Sequence, residues 1–197
     1  MAMQPPGRSN EFAVVWDIMD IGTLSHLMAD PYTLDTRLLH DVCADIFARA
    51  ETVDEFATLP FDDIASLSQA GLIEAVTQGE GARSFVGDPG RLGQVLQTIG
   101  AASLTVGRLY EGHVNAARLI RHYGSADAQS ILVAEVSHGR LLGVWNAERL
   151  GGPLLTPVIG GWRLSGRKVH CSGAGHIQRP IVTARDPDGA GVMVLPI

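Results

Sequence analysis

The sequence predicts an α+β protein, an all-helical N-terminal domain followed by a small antiparallel β domain. Two observations carry this. Up to about residue 140, apolar residues recur at the spacing of a helix face; beyond it, glycines, turn residues and short apolar runs take over. The 197 residues, 46% hydrophobic and 18% charged, are enough to build a core and too apolar for a disordered chain. The division expected from this change is an unassigned segment over 1–30, a helical domain over 31–140 and a β domain over 141–197.

The elements follow in order. Leu34, Leu38, Leu39, Val42, Ile46 and Phe47 fall on one face of a first helix, with Asp, Arg and His opposite. Pro60 breaks the chain, and a shorter helix then carries Ile64 and Leu67, with Gly71 placed to cap it. Gly79 to Gly90 reads as a loop by composition. The longest helix is expected from about Arg91, on a stripe of Leu92, Val95, Ile99, Ala102, Val106 and Leu109. Gly93, Gly100 and Gly107 interrupt it, and a glycine costs about 1 kcal/mol against alanine inside a helix. Such glycines mark the close approach of another helix or a ligand, tight packing being the plainer cause. His113 to Tyr123 reads as further helix ended by Gly124, and Ser125 can cap a last helix that Gly139 stops.

Gly160-Gly161 then leads into a strand at Trp162–Leu164, a Ser165-Gly166 turn and a second strand from Lys168 to Cys171. Ile181–Ala184 and Val192–Leu195 read as two more strands, joined as a hairpin by the turn residues Asp186-Pro187-Asp188-Gly189. A sheet ending there would leave an edge open and a face uncovered, so more chain or a partner is expected to complete it.

The formal charge is −6 and the 15 basic residues are scattered, which disfavours nucleic acid as a partner. The apolar stretch from Phe12 to Leu24 is interrupted by Asp17 and Asp20 and is too short to span a membrane. The N-terminus lacks the pattern of a secretory signal, and Cys43 and Cys171 form no disulfide framework, so a cytoplasmic setting is expected. No dinucleotide fingerprint, phosphate loop or nucleophile elbow is present. His170, Cys171 and His176 match no common metal spacing, and no metal is expected.

The order of segments says more than any of these motifs. HVNAARLIRHYGSADAQSILVAEVSHGRLLGVWNAE, followed by GGWRLSGRKVHCSGAGHIQRPIVTAR, resembles the acyl-CoA dehydrogenase family over roughly residues 35–197. The pattern Gly161-Trp162-Arg163-Leu164-Ser165-Gly166-Arg167-Lys168 is similar to the family's strand pair, and FDDIASLSQAGLIEAV to its early helix. The resemblance implies the family's helical and β domains without its C-terminal four-helix domain. It also implies a FAD cofactor, an acyl-CoA or other small-molecule substrate, and a homo-oligomer or a complementing chain. By the same resemblance Trp145 and Asn146 stand on a strand at the flavin pyrimidine edge. Ser172 falls at a hydroxyl position near flavin N5, and His170 and Cys171 fall on the stretch flanking the ring. The alternative for all of these is ordinary strand filling.

The departures are specific. Asn146-Ala147-Glu148-Arg149-Leu150-Gly151-Gly152 stands where the family has Thr-Glu-Pro-x-x-Gly-Ser-Asp, which argues against thioester binding. Cys171-Ser172-Gly173-Ala174 is closer to flavin monooxygenases of the same fold, which use reduced flavin and oxygen. The family's catalytic glutamate lies in the C-terminal domain, and no residue here matches it. Three functions stay open: a truncated CH–CH dehydrogenase-like flavoprotein with little turnover alone, a monooxygenase-like protein, and a non-catalytic flavin-binding or assembly subunit.

Overall fold

A computed structural model describes residues 13–14, 36–56, 58–77, 85, 87–149, 151–177 and 179–195. Among the described residues, five α-helices precede most of a six-stranded sheet. The helices are α1 (Thr36–Phe56), α2 (Phe61–Gln69), α3 (Pro89–Ala102), α4 (Leu104–Tyr123) and α5 (Ala126–Ser137). The strands are β1 (Ala13–Val14), β2 (Leu142–Trp145), β3 (Leu154–Val158), β4 (Gly161–Ser165), β5 (Arg179–Arg185) and β6 (Gly191–Val194). No helix among the described residues is long and apolar enough to cross a membrane.

Local chemistry sets the helix boundaries. Helix α1 buries Leu39, Cys43 and Ile46, whereas Leu38 and Phe47 from the expected stripe are exposed; Leu34 lies outside the described residues. Arg49 on α1 meets the buried Asp63 on α2 at 2.6 Å, which ties the first two helices together. Helix α2 ends as its glycine foretold: Gly71, at φ 72°, donates to Ser68 O while Leu72 N donates to Leu67 O. Helix α3 starts two residues before Arg91, because Asp88 accepts from Gly90 N and Arg91 N and Pro89 suits the first helical position. Pro89 and Gly90 therefore belong to the helix and not to the loop read from composition.

The long helix expected across residue 103 is two helices. Ser103 adopts an extended conformation, and its hydroxyl accepts from Val106 N, capping α4. The apolar stripe keeps its phase across this one-residue break, so periodicity alone conceals it. The two helices fold back on each other at their glycines: a Cβ on Gly107 would lie 2.7 Å from Gly100 Cα. Helix–helix packing is thus the use of these two glycines. Helix α4 runs unbroken through His113 to Tyr123 and is central to the core, burying among others Tyr110, His113, Val114, Ala117 and Ile120.

The sheet is mixed rather than antiparallel. Its order is β1-β6-β5-β3-β4, and β2 shares with β3 the second edge of β5. Strand β2 runs parallel to the first half of β5, from Leu142↔Arg179 to Trp145↔Val182, and β3 joins β5 in parallel only at Leu154↔Arg185. The antiparallel pairs are the expected β5–β6 hairpin, the β3–β4 hairpin around Gly160, and β1 on β6. Strand β1 comes from the unassigned N-terminal segment and covers the edge of β6 that was expected to be open. Strand β3 carries Pro157 and exposes Leu154 and Val158, so it shows no alternation to read. Lys168 to Cys171 is not a strand. Gly166, His170, Gly173 and Gly175 all take positive φ, at 140°, 54°, 70° and 88°, and the chain turns repeatedly.

Strands β5 and β6 are buried on both faces, whereas β3 and β4 stay largely exposed. Leu142, Ile181, Met193 and Leu195 join the helical core, while Leu155, Ala184, Val192 and Val194 pack beneath Trp162 and Leu164 of the β3–β4 hairpin. The helical layer is keyed to the sheet by two polar devices. His113, fully buried on α4, accepts from Leu142 N on β2 through Nδ1 at 3.1 Å, and its Nε2 lies 3.0 Å from Ile73 O. Glu135 on α5 receives Arg140 Nη1 on both oxygens and Arg179 Nε from β5, each at 2.9 Å.

Candidate functional site

The site forms where β2 stops pairing with β5. After Trp145 the chain leaves the β5 edge and returns only at β3, so the Asn146 carbonyl has no ladder partner. Lys168 supplies the donor that the ladder does not. The Lys168 side chain is only 4% exposed. Its ammonium reaches Asn146 O at 3.1 Å, Glu148 Oε2 at 2.6 Å and Thr183 Oγ1 at 2.6 Å, which uses all its donor directions. The hydrogen bond from Lys168, reinforced by its charge, holds the Glu148 carboxyl below the usual carboxylate range.

The 166–177 turn packs alongside. Val169 N donates to Ala147 O at 3.1 Å, and Ser172 N to His170 O at 3.1 Å. The Trp145 indole N–H donates to Ser172 O at 3.1 Å and so fixes the turn against the end of β2. The five residues singled out by resemblance therefore lie on two short segments held side by side. They are not equivalent. The Trp145 N–H is already used within the protein, and the Cys171 thiol turns back toward Val169 O at 3.8 Å. The His170 side chain is exposed, on a backbone held in the left-handed region, which costs a non-glycine residue roughly 1–2 kcal/mol. Asn146 is exposed, and its Oδ1 accepts from Thr183 Oγ1 at 3.2 Å, while its amide N–H groups have no protein partner among the described residues. Among the described residues the Ser172 hydroxyl has no protein partner.

Amide and hydroxyl donors are the groups that the acceptor edges of a planar heterocycle such as a flavin ring would take. Among the described residues no cluster of His, Cys, Asp and Glu suited to a metal is present.

A cleft of about 180 Å³ adjoins the turn on its helical side. Leu59, Phe61, Ile64, Leu109, Leu141 and Ile177 give it a mainly apolar lining, with Arg140 and His176 as its charged and polar members. Phe61 and His176 meet edge to face, with ring centroids 5.0 Å apart. Ile177 fits because its neighbours are small: a Cβ on Gly143 or on Gly173 would approach Ile177 Cδ1 to 2.8 Å. None of the cleft residues was read from sequence as lining a pocket; Ile64 and Leu109 stood as helix filling and His176 was weighed only for metal spacing. The repeated glycines at 143 and 173, facing one isoleucine, were the available signal.

No protein-family model matches the sequence, and no curated protein matches it. Solved structures do match. The chain superimposes on TdsC from Paenibacillus sp. A11-2 in complex with FMN and indole, with a TM-score of 0.68 and 17% identity, over 81% of this chain and 42% of that one. For nitrososynthase from Micromonospora carbonacea var. africana the TM-score is 0.65 at 22% identity, over 81% and 43%. For the Tcur3481-Tcur3483 steroid ACAD G363A variant it is 0.54 at 24%, over 82% and 48%. The chain thus spans under half the length of these structures and shares its fold with both flavin monooxygenase and acyl-CoA dehydrogenase structures. The resemblance read from the residues holds at the level of fold.

Proposed function

We propose that this chain carries one side of a flavin site in an oxidoreductase of the acyl-CoA dehydrogenase fold, and that its chemistry is of the monooxygenase kind. The observation that carries the reading is the pairing of two uncommitted groups, the Asn146 amide N–H and the Ser172 hydroxyl, on segments locked together by Trp145. In this reading Asn146 binds the pyrimidine edge, Ser172 donates near N5, and His170 flanks the ring. Bound flavin supplies the electron transfer; the protein supplies binding, orientation and exclusion of water. FMN and FAD are both candidates, since the donors described meet only the ring.

The cleft favours the monooxygenase form over CH–CH dehydrogenation of an acyl-CoA. Its mainly apolar lining suits an apolar substrate, and the family's Thr-Glu-Pro run is replaced by Asn146-Ala147-Glu148. The test is anaerobic addition of acyl-CoAs of several chain lengths to flavin-loaded protein. The flavin's visible absorbance is expected to persist, and to bleach only when a separate flavin reductase and a reduced nicotinamide as its electron donor are added. Bleaching by an acyl-CoA alone would restore the dehydrogenase reading.

A further inference from the structure

We propose that Lys168 is a positioning residue for the ligand-facing side of this site, acting on Asn146 through the Thr183 hydroxyl. The inference rests on the flavin reading for the identity of the ligand, and on the hydrogen bonds alone for the relay.

A lysine ammonium only donates, so at 2.6 Å the Thr183 oxygen must be the acceptor. The hydroxyl's own proton then points elsewhere, and Asn146 offers the acceptors: its backbone O at 3.3 Å and its side-chain Oδ1 at 3.2 Å. A cation on one side of a hydroxyl polarises it into a stronger donor on the other. The backbone O already receives Lys168 itself, which favours Oδ1 for the Thr183 proton. With its oxygen held inward, the Asn146 amide turns its N–H groups to the exposed surface. The relay thus converts a side chain able to donate or accept into a donor, and selects a ligand that presents a carbonyl there.

Glu148 keeps this arrangement charged. Its carboxylate, 2.6 Å from the ammonium, balances a lysine that would otherwise be a lone buried charge. The run Asn146-Ala147-Glu148 therefore has a use of its own: two of its three residues hold Lys168, and one of them is what Lys168 aims.

The test is a double-mutant cycle. Thr183→Val cuts the relay while leaving the Lys168–Glu148 pair in place, and Asn146→Ala removes the aimed group. FMN binding is followed by flavin fluorescence for wild type, T183V, N146A and the double variant. Each single change is expected to weaken FMN binding roughly fivefold, the worth of one hydrogen bond, and the double variant to bind no worse than N146A. Independent, multiplying effects, or wild-type affinity in T183V, would overturn the relay. Absence of FMN binding by the wild type would overturn the flavin reading instead. The relay is then judged by NMR of the Asn146 side-chain amide: a shift between wild type and T183V supports it, and identical spectra overturn it.

Discussion

Replacing His113 with alanine is expected to cost the fold about 3–5 kcal/mol, roughly a fifth or more of the stability of an ordinary domain. The imidazole is completely buried and both nitrogens are engaged. Because Leu142 N–H must donate to Nδ1, the proton sits on Nε2, which donates to Ile73 O. Alanine would leave a buried donor and a buried acceptor without partners, together with a cavity between α4 and β2. Burial also depresses the His113 pKa to about 4, despite the opposing hydrogen bond to Ile73. Folding therefore excludes a proton that the unfolded chain accepts below its ordinary value of 6.5. This contribution is fully present above pH 6.5 and drains away as the pH falls toward 4, by roughly 3 kcal/mol in all. Urea denaturation across that range should show the slope in the wild type and lose it in His113→Ala. A wild-type midpoint that is flat between those pH values would contradict the assignment.

The second large effect is expected at Glu135. Its buried carboxylate joins α5 to Arg140 and to Arg179 at the start of β5, beside the Leu142 pairing. Removing one member of a buried ion network strands the others, but Arg140 and Arg179 are 44% and 28% exposed and regain water. Glu135→Ala should therefore cost about 2–3 kcal/mol, below the full range for a buried pair. Burial pushes the Glu135 carboxyl up, but the hydrogen bonds and charges of the two arginines outweigh it and hold the group below its ordinary value of 4.5. Its stabilisation is present above that value and is lost as the pH falls through the lowered one, beneath most of the His113 range. A Glu135→Ala midpoint within 0.5 kcal/mol of wild type, the scatter of ordinary surface changes, would show that the network does not hold the layers together.

These two residues mark what the sequence made legible and what it left hidden. Helix ends and turns were readable where one side chain or glycine decides them, as at Gly71, at Ser125 and in the Asp186–Gly189 hairpin turn. Ser103 was not, because the apolar stripe on either side stays in phase. Strands β2 and β3 escape local reading for a different reason: both meet β5 in parallel across a long stretch of chain, and neither alternates cleanly. The segment after Gly166 contains Val169 and Cys171 and so looks like a strand, but its positive-φ positions turn it into the wall of the site. His113 was read only as the start of further helix; its burial and its partners, some 40 and 29 residues away, come from the structure.

The site was legible only in part. The order of segments led to Trp145, Asn146, His170, Cys171 and Ser172, and the structure brings their two segments side by side. Lys168 was visible only as the last letter of a pattern. A buried ammonium is not an expectation that composition supports; it follows from the gap in the β5 edge, which is a fact of topology. Phe61, Ile64 and Leu109 read as helix filling, and their shared cleft depends on how α2 and α4 face the 173–177 turn.

The most direct measurement is a titration of the purified chain with FMN and with FAD, in the wild type and in the variant carrying both Asn146→Ala and Ser172→Ala. Saturable quenching of flavin fluorescence by the wild type, weakened roughly tenfold or more in the double variant as two lost hydrogen bonds require, is the expected result. Equal affinity in the two proteins would contradict the site proposed at the end of β2, and no binding of either flavin to the wild type would reduce the likeness to flavoenzymes to one of fold alone.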